Sequence, residues 1–421
     1  MKTLFKNAKV LQLNQDKGYI EADVVVEDNK ILFVGNGFDA NVDKIVDVAG
    51  NILMPGFVDA HAHSAMTILR SLKDDVNLQD WLFNNIFPRE EKMTENDVYW
   101  GTMLAICEYL RAGITTVQDY YFHEDGLIRA FNECGFRASV AMGYLTSGRG
   151  ESEEYLKAQL EQINNSKLLY PVCTSHSIYV KTKEQLESLA EFANKHNLPK
   201  SLHLSETKKE VDDCVRERGI LPTEYLEGLG YLDNKCTTYH GVHLTDKEFE
   251  ILKKHNANIV TCPSSNIKLA SGIANVRDMQ KHGINVAIGT DGASSNNNLD
   301  MFKEMFLVAT LSKVQANDPA VVSARDVLKM ATVNGAKALY IDDVGEIKVG
   351  NNADIILVDT TKPHMQPCDN VLSNLVYCAK SSDVYFTMID GKVLFENGKV
   401  NLPVDEQTII EKVNEIRQRL A

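Results

Sequence analysis

The chain has 421 residues, enough for one large closed fold with an accessory unit or for two medium domains. Its 44 basic and 58 acidic side chains leave a formal net charge of -14 with no Lys/Arg-rich run, which excludes a nucleic-acid partner held by phosphate neutralisation. No apolar run is long enough for a membrane span, Asn7, Lys9 and Gln12 interrupt any signal-peptide core, and the eight cysteines form no C-x-x-C pair, so the sequence reads as soluble, cytoplasmic and reduced.

Residues 1–55 alternate polar and apolar side chains with turn residues at short intervals, as in 22–35, and read as β-structure. From Gly56 the pattern changes to a repeated unit of a short apolar run, a loop and a helical stretch ending in Gly or Asn. Candidate strands fall at 52–61, 113–119, 137–143, 169–176, 199–203, 236–240, 258–262 and 285–291. Between them Thr182/Gln185 and Thr245/Glu248 have capping-box spacing, and Gly113 follows Arg111 and Ala112 as a helix-terminating glycine would. Eight βα units predict a (β/α)8 barrel of TIM type rather than an open sheet. Beyond about residue 350 the chain is β-rich again, with a hairpin at 387–394 turning on Asp390-Gly391. The economical arrangement makes residues 1–55 and 350–421 one small composite β-sandwich flanking a barrel of residues 56–349.

His61-Ala62-His63 ends the first barrel strand, where residues two apart point to the same side and both imidazoles can face one point at the barrel mouth. H-x-H alone does not distinguish a metal site from a structural pair. His203 ending the fifth strand and Asp291 ending the eighth complete a set that a divalent ion accepts while keeping a position for water. All four fall where barrel active sites sit, at the C-terminal strand ends. Glu206, three residues after His203, and His240, ending the sixth strand, share that rim. A structural metal site has no use for either, whereas hydrolysis needs an acid/base carboxylate and a group that stabilises developing charge. His196, His255 and His282 sit at predicted helix C-termini and read as structural, His243 and His364 as solvated, and His176, ending the fourth strand, as a candidate substrate contact.

These motifs resemble the amidohydrolase superfamily, and within it the branch of methylthioadenosine/S-adenosylhomocysteine deaminases and the related triazine hydrolases. The resemblance spans nearly the whole chain: residues 54–63, Asp80-Trp81-Leu82, His203-Leu204-Ser205-Glu206, His240-Gly241-Val242-His243, Cys262-Pro263-Ser264-Ser265-Asn266, Gly289-Thr290-Asp291-Gly292 and residues 349–355. It implies one divalent metal per chain, zinc first among candidates, held by His61, His63, His203 and Asp291. The catalytic residues it implies are Glu206, His240 and Asp291. The resemblance further implies that such a metal would supply a water of lowered pKa for attack on C6 of an adenosine derivative, with Asp291 taking the water proton, Glu206 protonating the ring nitrogen and His240 stabilising the tetrahedral centre. Because the fourth strand ends in Ser175-His176, without the Lys or Glu that bridges two metals in binuclear relatives, the resemblance implies a mononuclear site. Trp81 would pack on the base or thioether, Glu90 would take the ribose hydroxyls, His176 the sugar region and Arg149 an amino-acid carboxylate. Lys167 stands where relatives that take S-adenosylhomocysteine often carry a further arginine, implying a weak grip on that carboxylate. The implied partners are a small nucleoside and copies of the chain itself in a homo-oligomer, with no nucleic acid and no membrane. Guanine or triazine hydrolysis, a binuclear amide-ring hydrolase and a non-catalytic barrel are the alternatives; a scaffold would need none of the rim residues.

Overall fold

The computed structural model describes residues 1–76, 78–143 and 152–420. Eight strands, Phe57–His63, Ile114–Asp119, Arg137–Met142, Leu169–Thr174, Lys200–Leu204, Cys236–His240, Asn258–Thr261 and Asn285–Ile288, pair parallel in chain order. After the eighth strand the chain continues into Asp291–Gly292, which pairs with Ala62 and His63 of the first and closes the ring. Side chains from several strands, Val58, Ala60, Tyr120, Ala141, Tyr239, Val260 and Ala287 among them, form one buried apolar cluster. The expected helix signals are present: Thr182 and Thr245 form capping boxes with Gln185 and Glu248, and Gly113 ends its helix at φ 77°.

The stretch 52–61, expected as one strand, belongs to two sheets. Ile52–Pro55 pairs with Lys2–Leu11 and Ile355–Val358, whereas Phe57–His63 opens the barrel. The chain crosses between them at Gly56, where a Cβ would lie 2.1 Å from the Thr115 side chain, so only glycine fits.

The two chain ends build a second sheet of nine strands. Its order is Lys399–Val400, Lys392–Glu396, Val384–Ile389, Ile355–Val358, Ile52–Pro55, Lys2–Leu11, Tyr19–Glu27 and Lys30–Gly35, with Lys44–Asp47 also beside Lys2–Leu11. Lys2–Leu11 takes Lys44–Asp47 along its first half and Ile52–Pro55 along its second, and its register against Tyr19–Glu27 shifts between Phe5 and Ala8. This lets the sheet fold over itself: Phe5 and Phe386, on strands that are not neighbours, meet with ring centroids 5.5 Å apart. The Asp390-Gly391 turn has φ 48° and 75°, the doubly left-handed form that matches hairpin twist.

The C-terminal end departs from the expected sandwich. Helix Glu406–Leu420 lies against barrel helix Glu95–Ala112, burying Ile409, Val413, Ile416 and Leu420. Arg111–Glu406 (2.6 Å) and Arg419–Asp97 (2.5 Å) flank the contact. The buried positions recur every three or four residues, a helical stripe that needs a helical partner and cannot serve a sheet. No helix among the described residues is long and apolar enough to cross a membrane.

Candidate active site

The sequence-predicted rim residues converge. His61, His63, His203, Glu206, His240 and Asp291 are all at most 7% exposed, and all but the first border one cavity at the barrel mouth. His61 Nε2 and His63 Nε2 lie 3.6 and 3.2 Å from Asp291 Oδ1. His61, His63 and Asp291 bring one ligand atom each within 4.8 Å of one another, and so do His61, His203 and His240. His61 belongs to both groups, so the two describe one centre.

The tautomers point inward. His63 Nδ1 faces the Tyr120 carbonyl at 2.5 Å and His203 Nδ1 faces the His176 carbonyl at 2.7 Å. A carbonyl only accepts, so each Nδ1 carries a hydrogen and each Nε2 is aimed at the centre, where His63 Nε2 shares a proton with Asp291 that a metal ion would replace. His61 goes further: it is fully buried, stacked on Tyr239 (centroids 3.8 Å), and neither ring nitrogen has a hydrogen-bond partner. A buried polar group is left so only at a cost of kcal/mol scale unless something else meets its lone pair. A divalent ion fits that vacancy in hydrogen bonding, and the donor set of imidazoles with one carboxylate suits zinc chemistry.

Electrostatics agree. Burial, joined by the neighbouring His63 charge, pushes His61 well below the usual imidazole range, and burial with His176 does the same to His203, so both are neutral donors. Burial opposes ionisation of Asp291, but the hydrogen bond and charge of His63 overcome it and hold the carboxylate well below its ordinary range. Burial raises Glu206, keeping a proton on it nearer neutrality, and its Oε2 stands 3.8 Å from His240 Nε2. His240 (φ 70°) and Asp291 (φ 61°) both adopt the left-handed backbone that non-glycine residues avoid, which turns their side chains off the strand ends into the mouth.

The substrate-side residues are brought together in part. Trp81, Glu90 and His176 line the same cavity with the apolar Leu78, Leu82 and Phe87. Burial pushes the Glu90 carboxyl up to about 7 against a 2.8 Å hydrogen bond from Tyr121 OH. Burial and the His63 charge push His176 down to about 3. Arg149 lies outside the described residues. Lys167 is nowhere near: it precedes the strand Leu169–Thr174 at the opposite end of the barrel, where its Nζ lies 2.8 Å from Asp390. Its reading as a substitute for a carboxylate-gripping arginine is corrected, because six strand residues at about 3.3 Å each separate that end from the mouth.

Several supporting groups escaped the sequence reading. Asn266 Oδ1 meets His240 Nδ1 at 2.9 Å, Ser295 Oγ donates to Asp291 Oδ2 at 3.1 Å, and Asp59 takes the Thr290 N–H at 2.8 Å beneath the His61 strand. The Asn266 and Asp59 contacts join segments distant in sequence, and only the place of these two residues within the quoted motifs could have flagged them; the Ser295 contact is local, four residues from Asp291, and lies outside those motifs. The structural histidines are as expected, with His196, His255 and His282 each capping a helix C-terminus. His364 is exposed, as expected, and its Nε2 lies 2.8 Å from the fully buried Asp383.

Comparison with known proteins adds to this geometry. Residues 52–394 match the model of the amidohydrolase family. The 5-methylthioadenosine/S-adenosylhomocysteine deaminase of Acetivibrio thermocellus is 40% identical over the full length of both chains. The 5'-deoxyadenosine deaminase of Methanosarcina acetivorans is 38% identical over 99% of this chain and 98% of its own. Among solved structures, an adenosine deaminase from Xanthomonas campestris with bound zinc superposes with a TM-score of 0.94 at 32% identity, covering 99% of this chain and 98% of that one.

Proposed function

We propose, from the premise that this chain belongs to the amidohydrolase family, that it is a zinc-dependent deaminase converting the 6-amino group of an adenosine derivative to the inosine analogue with release of ammonia. The substrates are 5′-methylthioadenosine, 5′-deoxyadenosine, adenosine and S-adenosylhomocysteine. The observation that carries this reading is the orphaned His61 at the centre of a closed donor set, beside a raised Glu206 that faces His240 across one cavity.

One zinc ion held by His61, His63, His203 and Asp291 would supply a Lewis acid and a water of lowered pKa. The ionised Asp291 accepts the proton of the attacking water. Glu206, its proton retained by burial, delivers it to the ring nitrogen beside C6. Asn266 Oδ1 takes the Nδ1 hydrogen of His240, which aims Nε2 at Glu206 and the position where charge develops. The proton accepted by Asp291 then goes to the departing amine, and the remaining hydroxyl proton returns to Glu206 as the C6 carbonyl forms, so ammonia leaves neutral and the site is restored. Trp81 with Leu78, Leu82 and Phe87 excludes water and seats the base, while Glu90 and His176 meet the ribose.

We assign the protein to the cytoplasm as a homo-oligomer. Exposed Phe306 and Val314, eight residues apart on helix Met301–Ala316 and hence on one face, support self-association. Ammonia release from the four nucleosides, read beside metal content, tests the main reading. Glu206→Gln should keep metal and melting temperature while turnover falls about 10²-fold or more; loss of metal in that variant would make Glu206 a ligand and sink the mechanism.

A further inference from the structure

Two other helices of the barrel show how a Thr-x-x-acid sequence normally works. In the boxes at Thr182 and Thr245 the side chain three residues on, Gln185 or Glu248, turns back to the N–H of the threonine itself, at 2.8 and 2.9 Å. Thr207 and Glu210 have the same spacing at the start of helix Lys208–Arg218, and Thr207 Oγ1 accepts the Glu210 N–H at 3.2 Å. Yet the Glu210 carboxylate reaches past the threonine. Its two oxygens accept the N–H groups of Ser205 (2.9 Å) and Glu206 (3.0 Å).

Ser205 stands at φ 50°, a left-handed turn in which consecutive N–H groups converge on one anion. Glu210 fills that concavity from within the chain and is itself 5% exposed. The opposite edge of the segment is tied to the loop carrying His240: His243 N donates to Ser205 O at 2.9 Å and Gly241 N to Leu204 O at 3.1 Å. The peptide that bears Glu206 is thus gripped on one side by the sixth strand's loop and on the other by Glu210.

We infer that Glu210 is a positioning residue, holding the Glu206 carboxylate toward His240 through this two-point grip on the backbone; the inference rests on the proton-transfer role given to Glu206. A displacement of about 1 Å at a group that transfers a proton costs up to about 10²-fold in rate without changing substrate affinity. A helix cap would show only in stability.

The test is a double-mutant cycle on the metal-loaded enzyme with 5′-methylthioadenosine, reading kcat, KM, metal content and melting temperature. Glu210→Gln keeps the shape but loses one acceptor, and should lower kcat about 10-fold with KM within about 2-fold. In the Glu206→Gln background the same change should lower kcat by less than about 2-fold, because the group being positioned is gone. An undiminished loss in that background, or a KM effect with kcat intact, overturns the inference. Wild-type turnover in Glu206→Gln alone would instead sink the role of Glu206, a separate failure. Should Glu210→Gln prove insoluble, Glu210→Asp, which keeps the carboxyl group but not the reach, should still lower kcat about 3-fold or more. Wild-type kcat in that variant, or insolubility of both, removes the positioning role.

Discussion

The two ends of the barrel handle buried polarity in opposite ways. At the floor, where the barrel meets the terminal sheet, Arg137 is 1% exposed and grips Asp354 with two hydrogen bonds of 2.6 and 3.0 Å, with Asp390 at 3.8 Å. Charges there are matched atom for atom. At the mouth His61 is equally buried but unpartnered, Asp291 and His240 sit in left-handed backbone, and carboxyls such as Glu90 and Glu304 are raised to about 7 by burial. At the floor the buried charges are met within the fold, whereas at the mouth an unmet imidazole stands beside residues in strained backbone, the combination expected where a ligand binds.

Removing one group from each end should separate the two kinds of polarity. His61→Ala takes away a donor of the metal set and should leave the folded enzyme without stoichiometric metal and with turnover lower by about 10³-fold or more. Bound metal measured by mass spectrometry of the native variant decides this; full occupancy would mean that His61 is not a ligand. Arg137→Met should do the reverse. It strands Asp354 in a dry interface and should cost about 3–5 kcal/mol in denaturant unfolding, while the fraction that remains folded keeps wild-type kcat/KM. A matching fall in activity per folded molecule would show that the floor and the mouth are not independent.

The same contrast explains what was legible in the sequence. Barrel strands carry side-chain alternation, so His61, His63, His203, His240 and Asp291 could be placed on one rim from their positions at strand ends. Local turn chemistry was equally plain, and Asp390-Gly391 and the two capping boxes formed as their residues dictate. What stayed hidden depends on contacts between segments far apart in the chain. The grip of Asn266 on His240, the stacking of Tyr239 on His61 and the crossing between sheets at Gly56 have no period to announce them. Helix Glu406–Leu420 shows a clear helical stripe once seen, but the expectation of a single terminal sandwich overrode it.

A smaller effect sharpens the picture of stored destabilisation at the mouth. Glu304, fully buried on helix Met301–Ala316, accepts Ser264 N at 3.0 Å and Asn296 Nδ2 at 2.9 Å, joining the loops after the seventh and eighth strands. Burial raises it from 4.5 to about 7, opposed by its hydrogen bonds to Ser264. The folded state therefore binds the proton more tightly than the unfolded one. Its contribution is fully present below about pH 4.5 and is lost as pH rises through about 7. Glu304→Gln should flatten the fall in stability between pH 5 and 8 by about 1–3 kcal/mol. Chemical denaturation across that range checks it, and an unchanged slope would mean Glu304 is ionised in the fold.

The smallest effect concerns Lys167, and it bears on substrate choice. If this residue gripped the amino-acid tail of S-adenosylhomocysteine, its removal would selectively harm that substrate. The structure puts it on the far side of the barrel: its side chain is 71% exposed and its partner is Asp390 of the terminal hairpin. An exposed pair of this kind is worth about 1 kcal/mol or less, and Asp390 keeps a 2.9 Å hydrogen bond from Asn29 when the lysine is gone. Lys167→Ala should then lower unfolding stability by no more than about 1 kcal/mol. The ratio of kcat/KM for S-adenosylhomocysteine to that for 5′-methylthioadenosine should stay within about 2-fold of wild type. A selective loss on S-adenosylhomocysteine would require the floor to communicate with the mouth through the fourth strand, and would break the division between them. An unchanged ratio leaves tail recognition to groups at the mouth, where Trp81, Glu90 and His176 line the cavity.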